Sequence, residues 1–259
     1  HDPGTIGYSK THEKTIALKV ALKVGGYIKE NFPDVKVIYT RDKDNFVELH
    51  ERSNIANKNK ADLFISIHCN AFSSSAAYGT EVFVLGLHKE KDNLDVAIRE
   101  NSVILQEENH ESNYGGFDPK SPEALIIMNM STSADLEQSI SLAQKIDKQF
   151  KEKVHRSSRG FMQAGFVVLW KSAMPSVLVE LGFISNKNEE AFLTTEEGQA
   201  YMASAIYRAF KEYKLEYDQN GPAGSINNET PKPVTEEPKK TPEPPKTDPK
   251  PVDKPVTAP

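Results

Sequence analysis

Residues 62–71 read DLFISIHCNA. From Leu63 to Ile67 only Ser66 interrupts the apolar side chains, so the stretch lacks the in–out alternation of a strand with one wet face. A continuous apolar strand is buried on both faces, which is the arrangement of a largely parallel sheet covered by helices on either side. The fold class follows as α/β. The same stretch raises a chemical question, because His68 stands at the carboxyl end of that strand, where open α/β sheets bind their ligands. A strand-end histidine that caps a loop explains His68 equally well, and Asn70 beside it is an ordinary turn residue.

Working outward, EKTIALKVALKVGGYIKE (13–30) puts Ile16, Val20, Val24, Tyr27 and Ile28 on one helical face, with Lys19, Lys23 and Lys29 away from its centre. VKVIYT (35–40) predicts a strand and ELHERSNIANKNK (48–60) a helix. Downstream, GTEVFVLG (79–86), GFVVLW (165–170) and SVLVELGFI (176–184) predict three more strands, followed by a helix around GQAYMASAIYRAFKEY (198–213). The expected architecture is a single open, mostly parallel sheet flanked by helices. The segment from Leu87 to Arg159 carries helical patterns around DNLDVAIRENSVILQEEN and SADLEQSISLAQKIDKQF, joined by NYGGFDPKSPEA. It is too long for a simple crossover, which points to a role of its own.

A net charge of -5 without clustered cations argues against a nucleic-acid partner. No apolar run approaches the roughly 20 residues of a membrane helix, and the lone Cys69 forms no internal disulfide. Alternation sends Cys69 to the face opposite His68, as a small core residue. From Gly221 the text changes: this stretch holds 11 of the 16 prolines and no aromatic, Leu or Met. Such a composition cannot bury enough apolar surface to fold and favours an extended, semi-rigid spacer. The expected division is a folded domain over 1–217 and a linker over 218–259.

Two acidic residues complete the candidates. Glu180 lies within an apolar strand, where a carboxylate is costly unless paired, metal-bound or protonated. It is either a core ion pair with Arg41 or Arg52, or a cleft acid with a raised pKa suited to acid–base chemistry. Glu13 opens the first helix, where the dipole favours an acid and Thr11 could cap; a metal ligand is the alternative. HExxH, CxxC, GxxxxGK[ST] and GxSxG are absent. The residues by themselves lead to an α/β protein with a candidate His/Glu metal site.

Five fragments in order, HDPGTIG, EKTIALKVA, YTRDKDNFVELHERSNIANKNKADLFISIHCNA, GTEVF and MPSVLVELGFISNKNEE, resemble the zinc-dependent N-acetylmuramoyl-L-alanine amidases of bacterial cell-wall turnover, over His1 to about Tyr213. The resemblance implies one Zn2+ held by a His, a Glu and a second His, with a further Glu in catalysis. By motif match Glu13 is the glutamate ligand, His68 the second histidine and Glu180 the catalytic carboxylate. Three protein ligands leave a position for water. His1 falls on the variable position after the family's first histidine, so that ligand and the strand before it are expected upstream of His1. Also implied are a peptidoglycan substrate, a bacterial envelope location, periplasmic or secreted, and a helical insert within 87–159 that covers the site until an activator protein displaces it. Glu90, Glu100, Glu107 and Glu108 are the candidates to reach the zinc's open position. The competing readings are a catalytically inactive wall-binding or regulatory module and a zinc peptidase acting on stem peptides.

Overall fold

Strand β4 (Ser176–Phe183) is buried at all eight positions, because it has a neighbour on each edge and helices on each face. The computed structural model describes residues 3–87, 91–129 and 135–220. His1, Glu90 and the proline-rich tail lie outside the described residues. Within them, β1 (Phe64–Asn70), β2 (Thr80–Leu85), β3 (Ser158–Ala164) and β4 form an open sheet in the order β1-β4-β2-β3. β1 pairs with β4 and β2 with β3 in parallel, while β2 and β4 run antiparallel. The sheet is therefore mixed, with two of its three pairings parallel.

Side-chain alternation across the sheet sorts the helices into two layers. On one face Cys69, Val82, Val84, Val177, Val179 and Leu181 pack with α1 (Glu13–Asn31), α6 (Leu136–Lys153) and α9 (Glu196–Asn220). Cys69 is fully buried there, on the face opposite His68. On the other face Phe64, Phe83 and Leu178 meet α2 (Leu49–Lys58), α7 (Val167–Trp170) and residues of the segment after β2. That segment comprises α3 (Lys91–Asn101), a 3-10 turn (Ser102–Gln106), α4 (His110–Asn113) and α5 (Pro122–Asn129). α8 (Lys187–Leu193) follows β4 directly.

Two expected strands are corrected. Val35–Thr40 makes no ladder among the described residues, although its sequence favours one, because a strand exists only with a partner. The edge of β1 away from β4 is likewise unpaired among the described residues. Between them, α1 and α9 lies a cavity of about 600 Å³, lined among others by Val35, Val37, Ile65 and Ile67. The second correction is GFVVLW: Val167–Trp170 is a helical turn, and the strand is the more polar Ser158–Ala164. A short apolar run does not distinguish strand from buried helix. Here Asn101 decides, since its Oδ1 accepts from Val167 N at 2.8 Å and its Nδ2 donates to Gly165 O at 2.7 Å, capping the turn from α3.

Candidate active site

His68 and Glu180 are partners in the parallel register of β1 and β4, so both side chains leave the same face near its carboxyl end. Glu13 reaches them from the first turn of α1. Thr11 does not cap that helix, contrary to expectation: the N-cap is His12, without a side-chain bond. The amides of Glu13 and Lys14 instead donate to Thr5 O (2.9 Å) and Pro3 O (3.3 Å). The Glu13 carboxylate is thereby free to turn inward. Its Oε2 accepts from Thr5 N at 2.7 Å and its Oε1 from Cys69 N at 3.1 Å. Gly4 holds a φ of +67°, and a Cβ there would lie 2.6 Å from Glu13 Oε2.

His68 Nδ1 sits 2.9 Å from Glu13 Oε1 and 3.0 Å from Glu100 Oε2. Its Nε2 lies 3.0 Å from Ser66 Oγ, two residues back on the same strand face. A metal on Nδ1 requires the proton on Nε2, and Ser66 is placed to accept it, fixing the tautomer. One donor atom each from Glu13, His68 and Glu100 all fall within 4.8 Å of one another. Two carboxylates and an imidazole form an ordinary donor set for zinc, so the residues fit a divalent metal. Burial would lower the His68 pKa, but the carboxylates of Glu100 and Glu13 raise it well above the usual histidine range. Glu100 shows the converse: burial opposes its charge, yet His68 and Arg99 hold it down to about 2.

Glu180 is fully buried and neither carboxylate oxygen has a hydrogen-bond partner. The guanidinium that approaches it belongs to Arg99, Nη2 to Oε1 3.8 Å. Arg41 is tied to the carbonyls of Lys14 and Lys43. Burial, and then the charge of Glu100, push the Glu180 pKa well above the ordinary carboxylate range. Directly across the β2/β4 pairing stands Glu81, whose oxygens take Asn70 Nδ2 at 2.5 Å and Arg159 Nε at 2.9 Å. Of two neighbouring buried acids, one is satisfied and one is left without bonds.

A sequence profile described as N-acetylmuramoyl-L-alanine amidase matches residues 1–212. The chain belongs to this family. It is 31% identical over 215 residues to the N-acetylmuramoyl-L-alanine amidase AmiA of Escherichia coli K12, covering 82% of this chain and 72% of that protein. With AmiC of Escherichia coli O6:H1 the identity is 34% over 225 residues, covering 82% of this chain and 50% of AmiC. Among solved structures, the catalytic domain of CwlV from Bacillus (Paenibacillus) polymyxa var. colistinus superposes with a TM-score of 0.57 at 27% identity, over 83% of this chain and 92% of that one. The CwlD amidase of Clostridioides difficile, solved in complex with the GerS lipoprotein, gives 0.59 at 25% identity, over 83% and 93%.

In this amidase the three motif residues converge, and among the described insert acids it is Glu100 that joins them at His68. Glu107 lies elsewhere: its Oε1 accepts from Leu49 N (2.7 Å) and its Oε2 from the Tyr114 hydroxyl (2.5 Å), at the start of α2. With Glu48 and His50 it forms a second group of metal-type donors, but those two bonds make it a docking contact between the insert and α2. Three contributors escaped the sequence reading: Ser66, Arg99 and Glu81. Ser66 had a signal, since it shares the strand face of His68 by the two-residue period. Arg99 adjoined a candidate acid, but nothing local ties it to Glu180.

Proposed function

We infer that this amidase hydrolyses the amide between the lactyl group of N-acetylmuramic acid and the L-alanine of the stem peptide in peptidoglycan. The observation that carries the reading is Glu180: a buried carboxylate with both oxygens unbonded, in register with His68. A structural acid would be satisfied, as Glu81 is; an acid that must exchange protons with substrate is left open. Glu13 and His68 are proposed as zinc ligands, together with the histidine that the resemblance places ahead of His1. The unpaired edge of β1 and the cavity beside it support a further strand there. Zinc, when bound, supplies Lewis acidity that polarises the scissile carbonyl and acidifies water.

The chain's own residues do the rest. Glu180 accepts a proton from the attacking water and passes it to the alanine nitrogen as the C–N bond breaks, giving a lactyl carboxylate and a free amine. A carboxylate whose pKa is lifted by burial is suited to both halves of that transfer. Ser66 holds the His68 ring, and Thr5 N and Cys69 N hold Glu13.

The described state is proposed to be closed. Glu100 occupies the shared donor position, and the cavity bordering Glu13, His68 and Glu100 is only about 70 Å³, whereas ligand pockets span roughly 300–1,000 Å³. A wall glycopeptide therefore enters only after α3 moves. That a relative is found in complex with a lipoprotein supports a protein activator acting on the insert. No helix among the described residues is long and apolar enough to cross a membrane; a wall substrate places the chain in the bacterial envelope, with the proline-rich residues as a tether.

The test is a digest of purified peptidoglycan with zinc and with chelator, products identified by mass spectrometry, using the chain and its Glu100→Ala variant. Free stem peptides beginning at L-alanine, lost on chelation, are expected. Cuts inside the stem would make it a peptidase. Intact wall with both proteins, each supplied with the upstream histidine, would leave a binding module.

A further inference from the structure

Outside the reacting groups, the loop that precedes α1 is held by an acid from near the far end of the domain. Residues 5–12 form a small hairpin: Ile6 and His12 make an antiparallel bridge, Gly7 N donates to Thr11 O at 2.7 Å, and Lys10 N to Gly7 O at 3.0 Å. Its carbonyl of Thr5 accepts the Glu13 amide, so the hairpin sets where α1 begins. Nothing in its own sequence supplies a side-chain cap. It is instead fastened from α8. Glu190, 2% exposed, accepts Ser9 N on Oε2 at 2.7 Å and Thr11 N on Oε1 at 3.2 Å. Tyr8 N adds a bond to Ile184 O at 2.8 Å. At Gly7 the contact is so close that a Cβ would collide with Glu190 Oε1. Asn186 caps α8 through the amides of Asn188 and Glu189, which fixes the helix that carries Glu190.

We propose that Glu190 is a positioning residue, which locks the Glu13 carboxylate in place relative to the Glu180 strand. The connection is short on both sides. α8 begins four residues after the end of β4, the strand of Glu180. The hairpin that Glu190 grips ends at His12, next to Glu13. A buried carboxylate accepting two backbone amides is a charge-assisted pair of bonds, stiffer than a loop of this length provides alone. The consequence is that ligand and base are referenced to one element, α8, and not to two independently moving ends of the chain. The inference rests on reading Glu13 as a ligand, and it is tested partly without metal for that reason.

The variants are Glu190→Ala and Glu190→Gln in the full chain, with Glu137→Gln, an exposed acid on α6, as control. The metal-free readout is NMR of the Thr5 and Cys69 amides, both of which donate to Glu13. In Glu190→Ala these two signals should shift and exchange faster with solvent, along with Ser9 and Thr11. Glu190→Gln, which keeps one acceptor oxygen, should lie between. In the second readout, competition with a chromophoric chelator should show zinc held about 10–100-fold more weakly by the Ala variant. Loss of protection at Ser9 and Thr11 with Thr5 and Cys69 unchanged would overturn the proposal, leaving Glu190 as a loop anchor only. Unchanged zinc affinity in a folded variant whose Thr5 and Cys69 amides do move would overturn Glu13 as a ligand while the positioning stands.

Discussion

At Glu180 two requirements collide. Its strand is apolar and central, so stability favours a hydrocarbon there; the proposed proton transfer requires a carboxylate with free lone pairs. The structure resolves this by leaving Arg99, at 3.8 Å, as an approaching cation without a hydrogen bond. Replacing Glu180 with Ala should lower turnover by about 10²–10⁴-fold, the usual range for one acid–base group, while zinc stoichiometry by atomic absorption stays at the wild-type value. His68→Ala should do the reverse in sequence, losing metal first and activity as a result. If the Glu180 variant turned over normally, Glu180 would not be the group that moves the proton. Glu180 and His68 were legible in the sequence because each breaks a local rule, an acid in an apolar strand and an imidazole at a strand end. Glu190 was not, since an acid in the first turn of a helix is what any helix favours, and its partners lie 179 and 181 residues away.

In the proposed closed state, the insert is the element whose position decides access. Among its polar contacts with the body of the domain are Glu100 with His68 at the site, and Glu107 with Tyr114 at the start of α2. The second contact carries no chemistry, yet it holds the insert in register, since Tyr114 Oη also accepts from His50 N at 3.0 Å. Two variants separate the contributions. Glu100→Ala should raise basal wall hydrolysis several-fold by unblocking the donors. Tyr114→Phe should raise it less, by loosening the dock while Glu100 remains, and the pair should exceed either alone. Dye-labelled peptidoglycan release, measured without activator, reports this directly; a lower rate in the folded Glu100 variant would make Glu100 part of the working site. The sequence marked four acids on this segment and offered no ground to choose between them, because helical period alone places Glu100 and Glu107 a turn or two apart on similar faces. It likewise named Val35–Thr40 a strand, where pairing and not propensity was missing.

Across the whole molecule, the sheet separates a conventional core from an expensive one. The face under α1, α6 and α9 is packed mainly by apolar side chains, while the face under the insert carries Glu180, Glu81, Glu100 and His68 among Phe64, Phe83 and Leu178. Such sites cost stability, and removing their charge returns it. Glu180 has a folded pKa raised well above the value near 4.3 expected in the unfolded chain. The folded state then binds its proton more tightly, so stability falls as pH rises from the unfolded value through the folded one, and stays reduced above it. Glu180→Gln removes that loss. In chelator, to keep metal out of the comparison, the Gln variant should melt above wild type at pH 8, with the difference shrinking as pH is lowered toward 5. Each kcal/mol recovered corresponds to about 2–4 °C for a domain of this size. Glu190 supplies the opposite sign within the same protein. Burial opposes its ionised form, but the Ser9 and Thr11 amides win and hold its pKa below the ordinary value. Its contribution is therefore present above the unfolded pKa and lost as pH falls through the folded one, so Glu190→Gln should melt below wild type at neutral pH and converge with it in acid. Two adjacent scans with opposite slopes would show that the buried acids are divided between function and framework. A melting curve for Glu180→Gln that ran parallel to wild type at every pH would mean that Glu180 is ionised at no cost in the fold.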